Sequence, residues 1–182
     1  MRKEQTEHSE RKKEEPEQKD HKVFDALKQL GIDYTLCSHP PVYTSDEAAQ
    51  YWDGIPGGHP KNLFLRDDKG KSHYLVIVEH TKQVDLKNLR SIIGSSRLSF
   101  ASDRRLGKHL GLTPGAVSAF GLINDSENRV EVIIDSDLLE HDYISFHPNV
   151  NTATLTISTA DFKKFLHHQG SKISCVSISS KP

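Results

Sequence analysis

The sequence predicts an α/β domain built on a mixed sheet. Three observations carry this expectation. Short apolar segments, those over 152–158 and 173–178 with a two-residue alternation, are interleaved with segments of helical spacing, the pattern of a sheet with helices packed on it. Two apolar segments flank the turn Asp67-Asp68-Lys69-Gly70, a hairpin signal that calls for antiparallel pairing within the sheet. After a charged start, about 160 residues of ordinary composition remain, enough to bury one sizeable core.

Residues 1–20 hold six Lys/Arg, seven Asp/Glu and one apolar residue, Met1. They have no face to bury and are expected to be a charged, disordered extension; residues 21–182 form the domain. From His21 onward, Val23, Phe24, Leu27 and Leu30 recur at helical spacing, and Gly31 supplies the stop. A short strand over 34–37 is ended by His39-Pro40-Pro41. Thr44, with Glu47 three residues later, makes a capping box, and Ala48, Ala49 and Trp52 continue the helix it opens. The loop Gly54-Ile55-Pro56-Gly57-Gly58 leads into the hairpin, whose strands run over 62–66 and 73–78. Asp85 caps a helix through Ile93, stopped by Gly94. A strand over 98–101 follows, then a helix from Ser102 to Leu110, and a Gly/Pro/Ser-rich loop over 113–121. Strands over 130–134, 143–146 and 152–158 precede a helix over 159–169, and 173–178 alternates again as a last strand.

Composition removes several function classes. The formal net charge of −1 is not that of a uniformly basic nucleic-acid coat. Two cysteines, Cys37 and Cys175, are too few for a disulfide scaffold or a Cys-rich zinc site, and reduced thiols are expected. No apolar run approaches a membrane span, and the charged start lacks the apolar stretch of a secretory signal, so the expectation is a cytoplasmic protein with no membrane partner. Phosphate-loop, dinucleotide, zinc-hydrolase and serine-hydrolase motifs are absent; before Gly107-Lys108, Ser102 stands where a phosphate loop needs glycine. Eleven histidines show no metal-ligand spacing, and adjacent His167 and His168 on a helix point in different directions, so no metal is expected.

Three loops and one basic stretch hold the candidate chemistry. His59-Pro60-Lys61-Asn62 opens the first hairpin strand. A lysine there either lies solvated at the strand edge or points into a cleft, where its compact charge can hold a phosphate or carbonyl oxygen. Residues 111–121 contain three glycines and a proline, a tightly turned backbone that can aim N–H groups at a developing oxyanion or simply connect helix to strand. Phe146-His147-Pro148-Asn149, with Asn151 and Thr152 just after, places polar groups at a strand junction; His147 titrates near neutrality, and Asn149 and Thr152 suit substrate hydrogen bonding. Between Lys87 and His109, six cations (Lys87, Arg90, Arg97, Arg104, Arg105, Lys108) face one carboxylate, Asp103. That asymmetry suits a polyanion such as RNA, with Arg97, Arg104, Arg105 and Lys108 as its candidate contacts; a solvated helix face is the alternative. Phe100 is the one aromatic there, so reading of single-stranded bases by stacking is not indicated.

Six segments occur in one order: His39-Pro-Pro-Val-Tyr-Thr44, Lys61-Asn-Leu-Phe-Leu-Arg-Asp67, Gly94-Ser-Ser-Arg-Leu-Ser-Phe-Ala101, Thr113-Pro-Gly115, Phe120-Gly-Leu-Ile-Asn-Asp125, and Phe146-His-Pro-Asn149 with Thr152-Ala-Thr-Leu155. Together they resemble the prolyl-tRNA editing proteins of the YbaK/prolyl-tRNA synthetase-associated domain family, over about residues 21–178. Within it the chain looks most similar to the branch that deacylates alanyl-tRNA(Pro). The resemblance implies a compact α/β fold with a mixed, partly barrel-like sheet surrounded by helices. It also implies hydrolysis of the ester joining a wrong amino acid to the 3′-terminal adenosine of tRNA(Pro), with no cofactor and no metal. The implied partner is tRNA(Pro) mischarged with alanine, with prolyl-tRNA synthetase or an elongation factor as transient partners. By the same resemblance, Lys61 matches the lysine essential for activity, which contacts the 3′ end, and Asn62 sits beside it in the pocket. Gly115 matches the glycine of a Gly-x-x-x-Pro loop, and His147 matches the pocket histidine. Two departures stand out: Ala119 occupies the position of the loop proline, and Pro60 replaces a small polar residue before the lysine.

An aminoacyl ester is already activated, so positioning and one oxyanion donor, worth ~3–4 kcal/mol, supply much of the acceleration. The family's chemistry is thought to recruit a hydroxyl of the substrate ribose, in keeping with the lack of a nucleophilic Ser or Cys motif. A proline-sized synthetase pocket rejects a smaller amino acid only ~10–200-fold per missing methylene, so a second, smaller pocket is the physical remedy. The alternatives are cysteinyl-tRNA(Pro) or another small-residue ester as substrate, or a non-catalytic tRNA-binding protein of the same fold. The intact Lys61, Asn62 and His147 argue against the last.

Overall fold

The computed structural model describes residues 21–181; the extension expected over 1–20 lies outside the described residues. The strands form two sheets. The larger has the order β4-β2-β3-β5-β8. Its centre is the expected hairpin, β2 (Pro60–Arg66) against β3 (His73–Glu79), with Lys61 opposite Val78 and Arg66 opposite His73. β5 (Val130–Asp135) lies parallel to β3, and β8 (Ile173–Val176) parallel to β5. The two-residue β4 (Ser99–Phe100) runs antiparallel to the far end of β2, against Leu65 and Arg66. The smaller sheet is antiparallel: β7 (Ala153–Ser158) between β1 (Thr35–Ser38) and β6 (Tyr143–Phe146).

The sheets meet at one corner. Gly58 N–H donates to the Tyr143 carbonyl (2.8 Å), and Ser145 N–H donates to the Gly58 carbonyl (3.0 Å). Gly57 makes this approach feasible: its φ is +99°, and a Cβ there would run into the Tyr143 carbonyl. The result is a curved, partly barrel-like wall that does not close.

Helices cover both faces of the larger sheet. Phe64, Leu75 and Ile77 face a core shared with Leu27 of α1 (His21–Gln29), Leu106 of α4 (Asp103–Leu110), and Phe162 and Phe165 of α5 (Thr159–Gln169). Leu65, Val76 and Val78 face a second core with Leu89 of α3 (Leu86–Ile92), Leu98 and Ile178. Each such fully buried side chain stabilises the fold by ~1.5–3 kcal/mol before entropy is counted.

The structure departs from the sequence expectations in five places. α2 (Ser45–Ala49) is shorter than Thr44 to Trp52, because Trp52 leaves the helix to stack on His59 with ring centroids 4.5 Å apart. A 3-10 helix, Ala119–Asn124, takes over the end of the expected 113–121 loop; the Ser118 hydroxyl accepts from Phe120 N–H, and Phe120 is fully buried. β8 stops at Val176, since Ile178 N–H donates to the Asp135 carboxylate (3.2 Å). Another 3-10 helix, Ser136–Glu140, joins β5 to β6. Lys61 itself lies within β2, not on the loop before it.

Asp135 is fully buried, and Lys82 Nζ lies 2.7 Å from its carboxylate and 2.7 Å from that of Asp137. Burial opposes the ammonium, but the two carboxylates outweigh it and raise the Lys82 pKa. Lys82→Met is expected to destabilise the protein by ~3–5 kcal/mol in urea unfolding, since it leaves a buried carboxylate without its counter-charge. Adding Asp135→Asn should recover most of the loss. An unchanged midpoint in Lys82→Met would show that the pair contributes nothing.

Among the described residues no helix is long and apolar enough to cross a membrane. Cys37 and Cys175 are free thiols.

Candidate active site

A cavity of about 280 Å3 lies between the start of β2, the segment leading into α2, the loop after α4 and the loop after β6. Lys61, Asn62, Gly115 and His147 all line it, although 86 residues separate Lys61 from His147 in the chain. Tyr43, Thr44, Ala48, Trp52, Pro60, Leu63 and Val117 complete the wall.

The strand register explains the Lys61–Asn62 side. Backbone groups alternate direction along a strand. The His59 carbonyl accepts from His80 N–H (3.1 Å), on the β3 side. The Phe64 carbonyl accepts from Ala101 N–H (2.9 Å), on the opposite side. Asn62, two residues from Phe64, therefore points its N–H and C=O to that opposite side, beyond the end of the short β4. Pro60, which has no N–H, is tolerated because it stands first in the strand and its nitrogen faces the same open edge. The Asn62 Oδ1 is buried and has no hydrogen-bond partner among the described residues. The Lys61 ammonium makes no ion pair or hydrogen bond among the described residues. Burial lowers its pKa, and Asp46 partly offsets this.

The Gly115 side is a hydrogen-bonded turn: Ala116 N–H donates to the Thr113 carbonyl (3.1 Å), with Pro114 and Gly115 at the centre. Proline presets the first central residue, and the second needs a positive φ, here +84°. A Cβ on Gly115 would lie 3.1 Å from Tyr43 Cδ1. Gly115 N–H has no partner among the described residues. Ala119, at the position where the resemblance expects proline, opens the 3-10 helix under the Ser118 cap, so the chain still turns there.

His147 Nδ1 is 2.8 Å from the Ala153 carbonyl. A carbonyl only accepts, so Nδ1 carries the proton and Nε2 is the ring's free acceptor. Burial lowers the His147 pKa, the Ala153 bond raises it and His39 lowers it. Below the imidazole, His39 is fixed by Thr154 Oγ1 (3.0 Å) and stacks on Tyr51.

Other expected residues fall elsewhere. Asn149 does not line the cavity; its Nδ2 donates to the Phe120 carbonyl (3.3 Å), and it sits at φ +65°, which asparagine tolerates. Thr152 is exposed, and its carbonyl accepts from His39 N–H (2.9 Å). Arg97 and Arg104 are exposed, while Arg105 and Lys108 line a different cavity at the other end of the hairpin. Among the described residues no three His, Cys, Asp or Glu side chains form a metal-binding group.

The sequence reading nominated no residue of the Tyr43–Trp52 wall. Its signal was the capping box: Thr44 Oγ1 accepts from Glu47 N–H (3.2 Å), and Glu47 Oε2 accepts from Tyr43 N–H (2.7 Å), which fixes Tyr43 over Gly115. Asn151 does the same from the other side, donating to the Val42 carbonyl (2.9 Å).

Comparison with known proteins gives a consistent picture. The family model for the aminoacyl-tRNA editing domain matches residues 39–165. The chain is 43% identical over 156 residues to the prolyl-tRNA editing protein ProX of Acetoanaerobium sticklandii, covering 86% of this chain and 95% of that one. It is 34% identical over 148 residues to prolyl-tRNA synthetase associated domain-containing protein 1 of Bos taurus, covering 79% and 86%. A multifunctional Ser/Thr-tRNA deacylase, ProXp-y of Escherichia coli K12, is 26% identical over 139 residues, covering 75% and 81%. Among solved structures, one described as a candidate trans-editing enzyme for prolyl tRNA synthetase superposes with a TM-score of 0.69 at 20% identity, covering 92% of this chain and 100% of that one. That likeness concerns the fold.

Proposed function

The chain belongs to the aminoacyl-tRNA editing domain family, and from this premise we propose that it is a trans-editing aminoacyl-tRNA hydrolase that removes alanine from mischarged tRNA(Pro). The observation that carries the reading is the cavity of about 280 Å3 in which Lys61, Asn62, Gly115 and His147 converge.

Each group has a task that the ester requires. The Lys61 ammonium holds the anionic 3′ end of the tRNA and so places the ester at the cavity. The α-ammonium of the amino acid is a donor that Asn62 can satisfy through its outward carbonyl. Water adds to the ester carbonyl carbon, the bond to the ribose oxygen breaks, and that oxygen takes up a proton as alanine leaves. The N–H groups of the turn at Gly115 stabilise the negative charge that builds on the carbonyl oxygen. His147, with Nε2 as its acceptor, orients the attacking hydroxyl or the ribose hydroxyl beside it. No residue need become covalently attached.

Alanine is favoured over proline by size, since the two esters share the reacting atoms and the tRNA. Fitting a pyrrolidine against a close-packed wall costs ~1–3 kcal/mol or more, so at least roughly tenfold slower hydrolysis of prolyl-tRNA(Pro) is expected. The test is release of labelled amino acid from alanyl-, prolyl-, seryl- and cysteinyl-tRNA(Pro), each with EDTA present. Equal rates on the alanyl and prolyl esters would mean that the cavity is not a small-residue sieve. Faster release of serine or cysteine would reassign the substrate, and loss of all activity in EDTA would point to a metal. Complete inactivity on every ester would leave tRNA binding without catalysis.

A further inference from the structure

A second cavity, of about 430 Å3, opens at the other end of the β2–β3 hairpin. Lys61 and Arg66 are five residues apart on β2, so at ~3.3 Å per residue the two hairpin ends lie roughly 17 Å apart. The cavity lies between the hairpin turn, α4 and the 124–129 loop.

Its charges are unbalanced. Lys71, Arg105, Lys108 and Arg129 face it, and so do two carboxylates, Asp125 and Glu127. Four cations against two carboxylates leave a surplus of two positive charges, and both carboxylates already have partners. Asp125 accepts from the N–H groups of Arg129 (3.0 Å) and Val130 (2.8 Å), and Glu127 pairs with Arg129 Nε at 3.0 Å. Lys71 and Lys108 ammonium groups have no partner among the described residues. Arg105 is held in place: its Nη1 donates to the Gly70 carbonyl (2.9 Å) and to His73 Nε2 (2.9 Å). The His73 and His109 rings lie against each other, with centroids 4.1 Å apart.

We propose that this cavity is a phosphate-binding site, with Arg105 as its fixed fork and Lys71 and Lys108 as its mobile cations. A fixed guanidinium beside two free ammonium groups matches the three oxygens of a phosphate. The cations also act on the two imidazoles beside the cavity. His73 is pushed down to about 4, first by burial and then by His109, Arg105 and Lys108, against the opposing Asp67. His109 is lowered by burial and by Lys108, Arg105 and Arg129, against Asp125. The phosphate is either a backbone group of the tRNA whose 3′ end reaches Lys61, a source that rests on the function proposed above, or a free phosphate ion.

The experiment follows the His73 and His109 ring C–H resonances of the full chain through a pH titration. It is run in chloride, in inorganic phosphate at equal ionic strength, and with deacylated tRNA(Pro). Phosphate is expected to raise the His73 midpoint by at least about one unit, a tenfold change in its proton affinity. Lys71→Ala with Lys108→Ala should weaken phosphate binding about tenfold or more at an unchanged melting temperature, because both side chains are exposed. Displacement of phosphate by tRNA supports the site with the tRNA backbone as its source, and phosphate binding without displacement supports it with the free ion. If neither ligand moves His73 or His109, or if the double variant binds phosphate as the parent does, the proposal is overturned. Phosphate binding by a protein that deacylates no ester would sink the function and leave this site standing.

Discussion

Lys61→Ala is expected to lower kcat/KM for alanyl-tRNA(Pro) deacylation by ~10²–10³-fold or more, the loss typical of removing a preorganised charge or donor at a reacting group, and to leave the melting temperature nearly unchanged. The two halves of this expectation have separate causes. Lys61 is held in β2 by its main-chain pairing opposite Val78, which alanine keeps. Its ammonium has no carboxylate partner among the described residues, so truncation strands no buried charge. Burial in fact lowers its pKa. With the folded pKa below the unfolded one, the unfolded chain holds the proton more tightly, and the charged lysine opposes folding until the pH rises through its folded pKa. Alanine removes that opposition. Stability of the parent should therefore rise with pH in the alkaline range relative to Lys61→Ala. Lys61→Arg is the control for charge alone: it keeps the cation but replaces a compact ammonium with a planar fork, and should restore only part of the rate. A near-normal rate in Lys61→Ala, or a variant that does not fold, would remove Lys61 from the role assigned to it.

How much of this site was legible in the sequence depends on which physical signal carried each residue. The hairpin was readable because two short apolar runs, Leu63–Leu65 and Tyr74–Val78, flank a Gly-bearing turn, and the strands pair across it in the register observed. The turn at Gly115 was readable as chemistry, since Pro-Gly at its centre states the conformation outright. The convergence of Lys61 with His147 was not readable from spacing. It depends on the corner at Gly58, where two sheets share two hydrogen bonds, and no local pattern encodes that contact. Tyr43 and Trp52 were missed for another reason. The capping box suggested that the helix continues through Trp52, whereas Trp52 gains more by stacking on His59 and meeting His80 edge-on, with centroids 4.5 and 4.8 Å away. The stretch from Lys87 to His109 looked like one basic surface in the sequence. The fold splits it, leaving Arg97 before β4 and turning Arg105 and Lys108 of α4 toward the far cavity.

Gly115→Val should separate the shape of the site from its stability. The residue sits at φ +84°, where any L side chain costs ~1–2 kcal/mol. Alanine and valine both incur that cost, and both place a Cβ 3.1 Å from Tyr43 Cδ1. Tyr43 is 69% exposed, so its ring can yield, and the shared stability loss should stay near the backbone figure. The two variants differ in what lies beyond Cβ. Valine adds two methyl groups at the wall of a cavity of only about 280 Å3, where they compete with the ester and shift the turn's N–H groups. A displacement of about 1 Å at a reacting centre can cost ~10²-fold. The expected result is therefore a similar fall in melting temperature for the two variants, with kcat/KM reduced at least ~100-fold by valine and clearly less by alanine. If both lose activity equally, the turn's geometry rather than the cavity's volume limits the rate. If Gly115→Val deacylates alanyl-tRNA(Pro) at close to the parent rate, the Thr113–Ala116 turn has no part in holding the ester, and the oxyanion donor must lie elsewhere, with the outward N–H of Asn62 on β2 next in line.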